Sequence, residues 1–117
     1  MEYRRLGKTD ISLSALGFGT MRLPTIDGVF NQVDIPKAKE LVRKAIDSGV
    51  NYVDTAYPYH GNGFSESAFK EILGDGYRDK VYFGDKLSVW FCESYEDCEA
   101  FFEGQLERCG TVHFDLY

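Results

Sequence analysis

Residues 36–55 read PKAKELVRKAIDSGVNYVDT, and the change of period inside this stretch decides the fold. Ala38, Leu41, Val42, Ala45 and Ile46 recur at i, i+3, i+4, i+7 and i+8, the pattern of a helix with one apolar face, predicted over residues 36–48. Asp34 is placed to cap its start, Pro36 is tolerated in a first turn, and Gly49 stands where a left-handed C-terminal cap is wanted. The run at 50–55 then takes on strand character.

The same unit recurs on both sides of this stretch. Strand-like runs at 15–20, 50–55, 81–87 and 112–117 begin thirty-one to thirty-five residues apart, with helical segments between them. The second helix is expected to start on Ser65 as N-cap, to pack through Ala68, Phe69, Ile72 and Leu73, and to stop at Gly74. The third opens with Ser94-Tyr95-Glu96-Asp97, which reads as a capping box, and carries Cys98, Phe101, Phe102, Leu106 and Cys109 as far as Gly110. Gly104 inside it costs about 1 kcal/mol relative to alanine, so this helix depends on tertiary packing. Strand, helix and strand at this spacing describe βαβ units with right-handed crossovers, hence an α/β fold with a parallel sheet. The period also suits a helical repeat array, but ankyrin and tetratricopeptide signatures are absent. Ahead of the units, residues 3–6 and 11–13 flank Gly7-Lys8-Thr9-Asp10 and read as a β-hairpin.

The expected architecture is therefore the N-terminal portion of a (β/α)8 TIM barrel, preceded by a hairpin and filling residues 1–117 as one unit. Such a barrel takes about 250 residues, and a parallel sheet wants helices on both faces. A chain that stops in its fourth strand is thus expected to be a fragment of about three and a half βα units.

Composition limits the partners. The net charge of −6 gives no basic surface for a phosphate backbone, so nucleic acid is not expected. The aromatic content of 15% supplies large apolar side chains that a disordered acidic chain would lack. No apolar run approaches a membrane span or a signal peptide, and a cytoplasmic protein is expected. Cys92, Cys98 and Cys109 match no metal-ligand spacing, so no metal is expected and the thiols read as reduced and structural.

In parallel α/β sheets the functional groups gather at the carboxyl ends of the strands. Those ends carry Gly17-Phe18-Gly19-Thr20-Met21, Asp54-Thr55-Ala56-Tyr57-Pro58-Tyr59 and Gly84-Asp85-Lys86, an acid, a phenol and an amine on adjacent strands. If Lys86 faces the barrel interior with Gly84 and Tyr82, then Val81, Phe83, Asp85 and Leu87 face the helices. An inward lysine needs an acid, which Asp54 supplies. Asp85 is then sent toward an apolar layer, where a carboxylate needs a partner or water.

Several motifs in order give the chain a family likeness. Tyr3-Arg4-Arg5-Leu6-Gly7-Lys8-Thr9, Leu16-Gly17-Phe18-Gly19-Thr20-Met21, the run from Ala45 to Ala56 with Tyr59 beyond it, Asp85-Lys86-Leu87, and Gln105-Leu106-Glu107-Arg108 followed by Phe114-Asp115-Leu116-Tyr117 together resemble the aldo-keto reductase family. The resemblance implies an NAD(P)H-dependent barrel enzyme that reduces a small carbonyl compound to an alcohol, with NADP as cofactor and an Asp, Tyr, Lys and His tetrad. Asp54, Tyr59 and Lys86 match three of the four as catalytic residues. The His is implied about three residues past Tyr117, and His113 lies too early to replace it. Gly19, Thr20, Met21 and Asp54 are implied to bind the nicotinamide end of the cofactor.

The chemistry is coherent with these residue types. Hydride attack on a carbonyl builds negative charge on oxygen, which needs a proton. A phenol can give one, but its ordinary pKa is about 10, and a neighbouring ammonium makes the proton easier to release. Tyr59 is then the general acid, Lys86 its electrostatic tuner and Asp54 the orienter of Lys86.

Other features take plainer readings. Gly17-x-Gly19 has Arg22 where a dinucleotide fingerprint needs its third glycine, and Ser65 lacks the closing glycine of a nucleophile elbow. Glu93, Glu96, Asp97, Glu99 and Glu103 read as a solvated helix face, and Trp90 as a pocket, core or surface residue. Met21-Arg22-Leu23-Pro24 and Tyr57-Pro58-Tyr59-His60-Gly61 resemble a branch of the family whose longer members append an iron–sulfur domain, but the cysteines here lack cluster spacing. The alternative function is a non-catalytic half-barrel module, completed by another chain or self-associating through its exposed sheet edge.

Overall fold

The computed structural model describes residues 1–117. Strands β1 (Tyr3–Arg5) and β2 (Ser12–Ser14) pair antiparallel, with Arg4 opposite Leu13, and form the expected hairpin. Strands β3 (Phe18–Gly19), β4 (Tyr52–Asp54) and β5 (Tyr82–Gly84) form a parallel sheet in chain order, with Phe18 opposite Val53 and Val53 opposite Phe83. Helices α1 (Ile35–Asp47), α2 (Phe64–Ile72) and α3 (Tyr95–Cys109) follow the three strands in turn. This is the α/β architecture read from the sequence.

Helix α1 forms because both of its ends are closed. The Asp34 carboxylate accepts the Lys37 N–H at 3.2 Å. At the far end Gly49 adopts φ +106°, the Gly49 N–H returns to Ile46 O and the Val50 N–H to Ala45 O, the two bonds of a Schellman motif. The same pair closes α3, where Gly110 donates to Glu107 O and Thr111 to Leu106 O. Its start carries the expected capping box, Ser94 Oγ taking the Asp97 N–H and Asp97 taking the Ser94 N–H.

The core lies between the sheet and the helices. Ala38, Val42 and Ile46 of α1, Ala68, Phe69 and Ile72 of α2, and Val53 and Phe83 of the sheet are buried together, with the Phe69 and Phe83 rings 4.6 Å apart. Leu41, expected in the α1 stripe, is exposed. Across the other face of the sheet the Tyr52 ring covers two glycines. A Cβ on Gly17 would lie 2.8 Å from Tyr52 Cδ1, and one on Gly84 3.3 Å from Tyr52 Oη.

Three sequence expectations need correction. The first three strands are shorter than the runs at 15–20, 50–55 and 81–87, because only the residues that meet a neighbouring strand in register pair. The run at 112–117 forms a single parallel bridge, Leu116 with Gly84, because the Asp115 carboxylate takes the Phe83 N–H that a strand carbonyl would otherwise accept. Ser65 is not an N-cap: Gly63, at φ +85°, holds that position with no side-chain cap, and Ser65 lies buried one residue inside the helix.

Candidate functional site

Parallel pairing in register sets Gly19, Asp54 and Gly84 side by side at the carboxyl ends of the three strands. Lys86 continues β5 by two residues and so returns to the same face. Its Nζ donates to Asp54 Oδ2 at 2.6 Å and to Thr55 O at 2.9 Å, and stands 5.4 Å from the centre of the Tyr59 ring. Asp54, Tyr59 and Lys86, grouped at adjacent strand ends in the sequence, are thus one cluster. With side chains 24% and 48% exposed, the Asp54–Lys86 pair adds at most about 1 kcal/mol to stability, so its main effect is to fix geometry. Partial burial works against the Lys86 ammonium, but the hydrogen bond and charge of Asp54 outweigh it and hold the group above the ordinary lysine range. The Tyr52 phenol is pushed up by burial and then by the Asp54 charge.

The four residues expected at a nicotinamide are placed differently from one another. Gly19 is exposed beside Asp54, and a Cβ there would sit 3.2 Å from Asp54 Oδ1. Met21 is exposed just beyond it. The Thr20 side chain instead turns into the helix layer, fully buried, donating to Asp54 O at 2.8 Å and meeting Ser65 Oγ at 3.1 Å. Ser65 Oγ also meets Thr55 Oγ1 at 2.9 Å. This hydroxyl chain ties the ends of β3 and β4 to the first turn of α2 and steadies the peptide that carries Asp54.

Sequence reasoning passed over His60. It is buried, its Nε2 accepts the Leu23 N–H at 2.8 Å, its Nδ1 bonds Phe30 O at 2.7 Å, and Phe30 stacks on it. These bonds fix the neutral tautomer with hydrogen on Nδ1 and fasten the long segment between β3 and α1 to the turn that carries Tyr59. A histidine directly after the candidate acid was the available signal.

A second polar group lies behind the site, in the helix layer. Asp85 points there, as strand alternation required, and finds partners. Its Oδ1 accepts the Lys86 N–H at 2.8 Å, and its carboxyl faces Glu66 of α2. Glu66 is wholly buried, taking Gln105 Nε2 at 2.7 Å and Arg108 Nε at 2.5 Å. The Arg108 chain passes beside Gly63 and Gly104 and over the Tyr57 ring, which accounts for a glycine in mid-helix. Burial first, and the Glu66 charge second, push Asp85 up to about 8, and burial raises the Cys109 thiol beside it. No buried side-chain nitrogen or oxygen lacks a partner.

The remaining candidates fall on the surface. Glu93, Glu96, Asp97, Glu99 and Glu103 are exposed, as expected of a solvated face, and Trp90 is exposed at 70%. No helix is long and apolar enough to cross a membrane.

The model of the Aldo/keto reductase family matches residues 15–117. The chain is 37% identical over 98 residues to L-galactose dehydrogenase of Arabidopsis thaliana, covering 83% of this chain and 28% of that protein. It is 30% identical over 129 aligned positions to aldo-keto reductase YhdN of Bacillus subtilis (strain 168), covering 100% of this chain and 37% of that protein. Among solved structures, the thermostable aldo-keto reductase Tm1743 in complex with the inhibitor epalrestat superposes with a TM-score of 0.79 at 29% identity, over 100% of this chain and 42% of that one. The chain therefore spans roughly a quarter to two fifths of the length of the proteins it matches.

Proposed function

The chain belongs to the aldo/keto reductase family, and from that premise we propose that residues 1–117 supply three catalytic side chains of an NADP-dependent oxidoreductase that reduces a carbonyl compound to an alcohol. The observation that carries this reading is the Lys86 ammonium, bound to Asp54 at 2.6 Å and lying 5.4 Å from the Tyr59 ring centre.

The strand ends suit a nicotinamide. Gly19 leaves its backbone open beside Asp54, where a Cβ would fill the space, and Met21 is exposed beyond it. Asp54, Gly19 and Met21 would hold the ring, with Thr20 acting through the Asp54 carbonyl. The cofactor, when bound, supplies the hydride. Tyr59 donates its phenolic proton to the carbonyl oxygen as negative charge develops there. Lys86 stabilises the phenolate left behind, and Asp54 keeps the ammonium charged and in place. Residues 1–117 carry the Asp, Tyr and Lys of the tetrad, and none of them is assigned as its His. We place this chemistry in the cytoplasm, where the free Cys92, Cys98 and Cys109 stay reduced.

The test is carbonyl-dependent oxidation of NADPH by the protein, beside NADPH binding measured by fluorescence. Tyr59→Phe is expected to lower kcat by about a hundredfold or more and to leave binding within about threefold. An unchanged kcat in Tyr59→Phe would overturn the assignment.

A further inference from the structure

Lys86 is gripped by its backbone as well as by its ammonium. Its N–H donates to Asp85 Oδ1 at 2.8 Å and its carbonyl accepts from Gln105 Nε2 at 3.1 Å. Neither bond belongs to the sheet, because β5 ends at Gly84. Both partners are almost wholly buried, Asp85 at 3% and Gln105 at 0% exposure. The Gln105 amide cannot turn over, because the Tyr117 hydroxyl donates to its Oε1 at 2.6 Å while its Nε2 is shared between Glu66 and the Lys86 carbonyl. Glu66 in turn is anchored by Arg108.

Stability does not explain this cluster. Two carboxyl groups in a helix layer lined by Phe83, Phe69 and Cys109 are expensive to desolvate, and well-packed apolar side chains would serve as well or better. What the polar set does, and an apolar set would not, is bond both peptide groups of one residue. We propose that Asp85, Gln105 and Glu66 are positioning residues for Lys86, fixing the peptide on either side of it so that its ammonium stays on Asp54 next to Tyr59. The proposal rests on the role given to Lys86 above. The charged and titratable groups around Asp85 are Glu66 from α2, Arg108 and Cys109 from α3, Tyr117 from the terminal segment, and Lys86 beside it in the chain. An uncharged acceptor at position 85 therefore preserves the clamp, whereas loss of the acceptor opens it.

The experiment is nuclear magnetic resonance on the labelled 117-residue chain, reading amide exchange at Lys86, Val53 and Phe83 and the titration of the Lys86 Cε signal. Asp85→Ala is expected to speed exchange at Lys86 by about tenfold more than at Val53 and Phe83, and Asp85→Asn to leave that ratio as in the parent. Gln105→Leu is expected to lower the Lys86 ammonium midpoint by about one pH unit, as its bond to Asp54 loosens. Exchange at Lys86 that rises only in step with Val53 and Phe83, or a Gln105→Leu midpoint equal to the parent's, would overturn the proposal. If Asp85→Ala does not fold, the Gln105→Leu midpoint decides alone. No turnover enters these readings. Unimpaired carbonyl reduction by a Lys86→Met barrel would defeat the catalytic role of Lys86 while leaving these shifts in place, so the two failures are distinguishable.

Discussion

Replacing Asp85 by Asn should make the protein relatively more stable as the pH rises. Burial and the Glu66 charge hold the Asp85 carboxyl up to about 8 in the folded chain, against about 3.9 for an unfolded aspartate. Between those values the folded state keeps a proton that the unfolded state has released. Stability from this group is therefore fully present below about pH 4 and is lost as the pH climbs through about 8, with a slope of about 1.4 kcal/mol per pH unit. Asparagine at position 85 has an oxygen for the Lys86 N–H and an amide donor for Glu66, and no proton to lose. The parent and Asp85→Asn should be close at about pH 4, and the variant should gain about 3 kcal/mol on the parent between about pH 5 and pH 7. Urea unfolding followed by circular dichroism at about pH 5, 6 and 7 measures the difference, and subtracting the two chains removes every other titrating group. Parallel stability curves for the two chains would show that Asp85 ionises in the folded state like an ordinary carboxylate, and the reasoning about its burial would fail.

Two further outcomes concern the packing around Arg108. Arg108→Met leaves Glu66 wholly buried with only Gln105 and the Asp85 carboxyl beside it and no cation, and about 3 kcal/mol of stability should be lost in urea unfolding. Gly63→Ala puts a side chain at φ +85° and a Cβ 2.8 Å from Arg108 Cδ, for a loss of about 1–3 kcal/mol in the same assay. Because both changes act on the placement of Arg108, the double variant should lose less than the two losses combined.

What the sequence disclosed and what it hid follow from the range of the interactions. Helix ends are local, and so Asp34, Gly49, Ser94 and Gly110 could be read from neighbouring residues. Strand alternation set Lys86 and Asp85 on opposite faces once Lys86 was taken to point inward, and the pairing of Lys86 with Asp54 followed from the need of an inward lysine for an acid. Strand lengths could not be read in the same way, since a strand reaches only as far as its neighbour does, and the β3 run exceeds the part that meets β4. Ser65 was misread because a serine ahead of an apolar run is a cap by local rules. Its actual partners, Thr20 and Thr55, lie forty-five and ten residues away. The partners of Asp85 were hidden for the same reason, as Glu66 and Cys109 come from helices on either side of it in the chain.

The Tyr52 ring, lying over Gly17 and Gly84, joins three strands into one shared allotment of space. A methyl group added at Gly17 collides with the ring and one at Gly84 crowds its hydroxyl end, while a smaller residue at position 52 leaves a void that larger residues at 17 and 84 could fill. In an alignment of homologues these columns should therefore covary, two small residues accompanying a large aromatic and the aromatic shrinking when either neighbour grows. Such a triplet would mark the register of the first three strands even where the catalytic residues themselves have been lost.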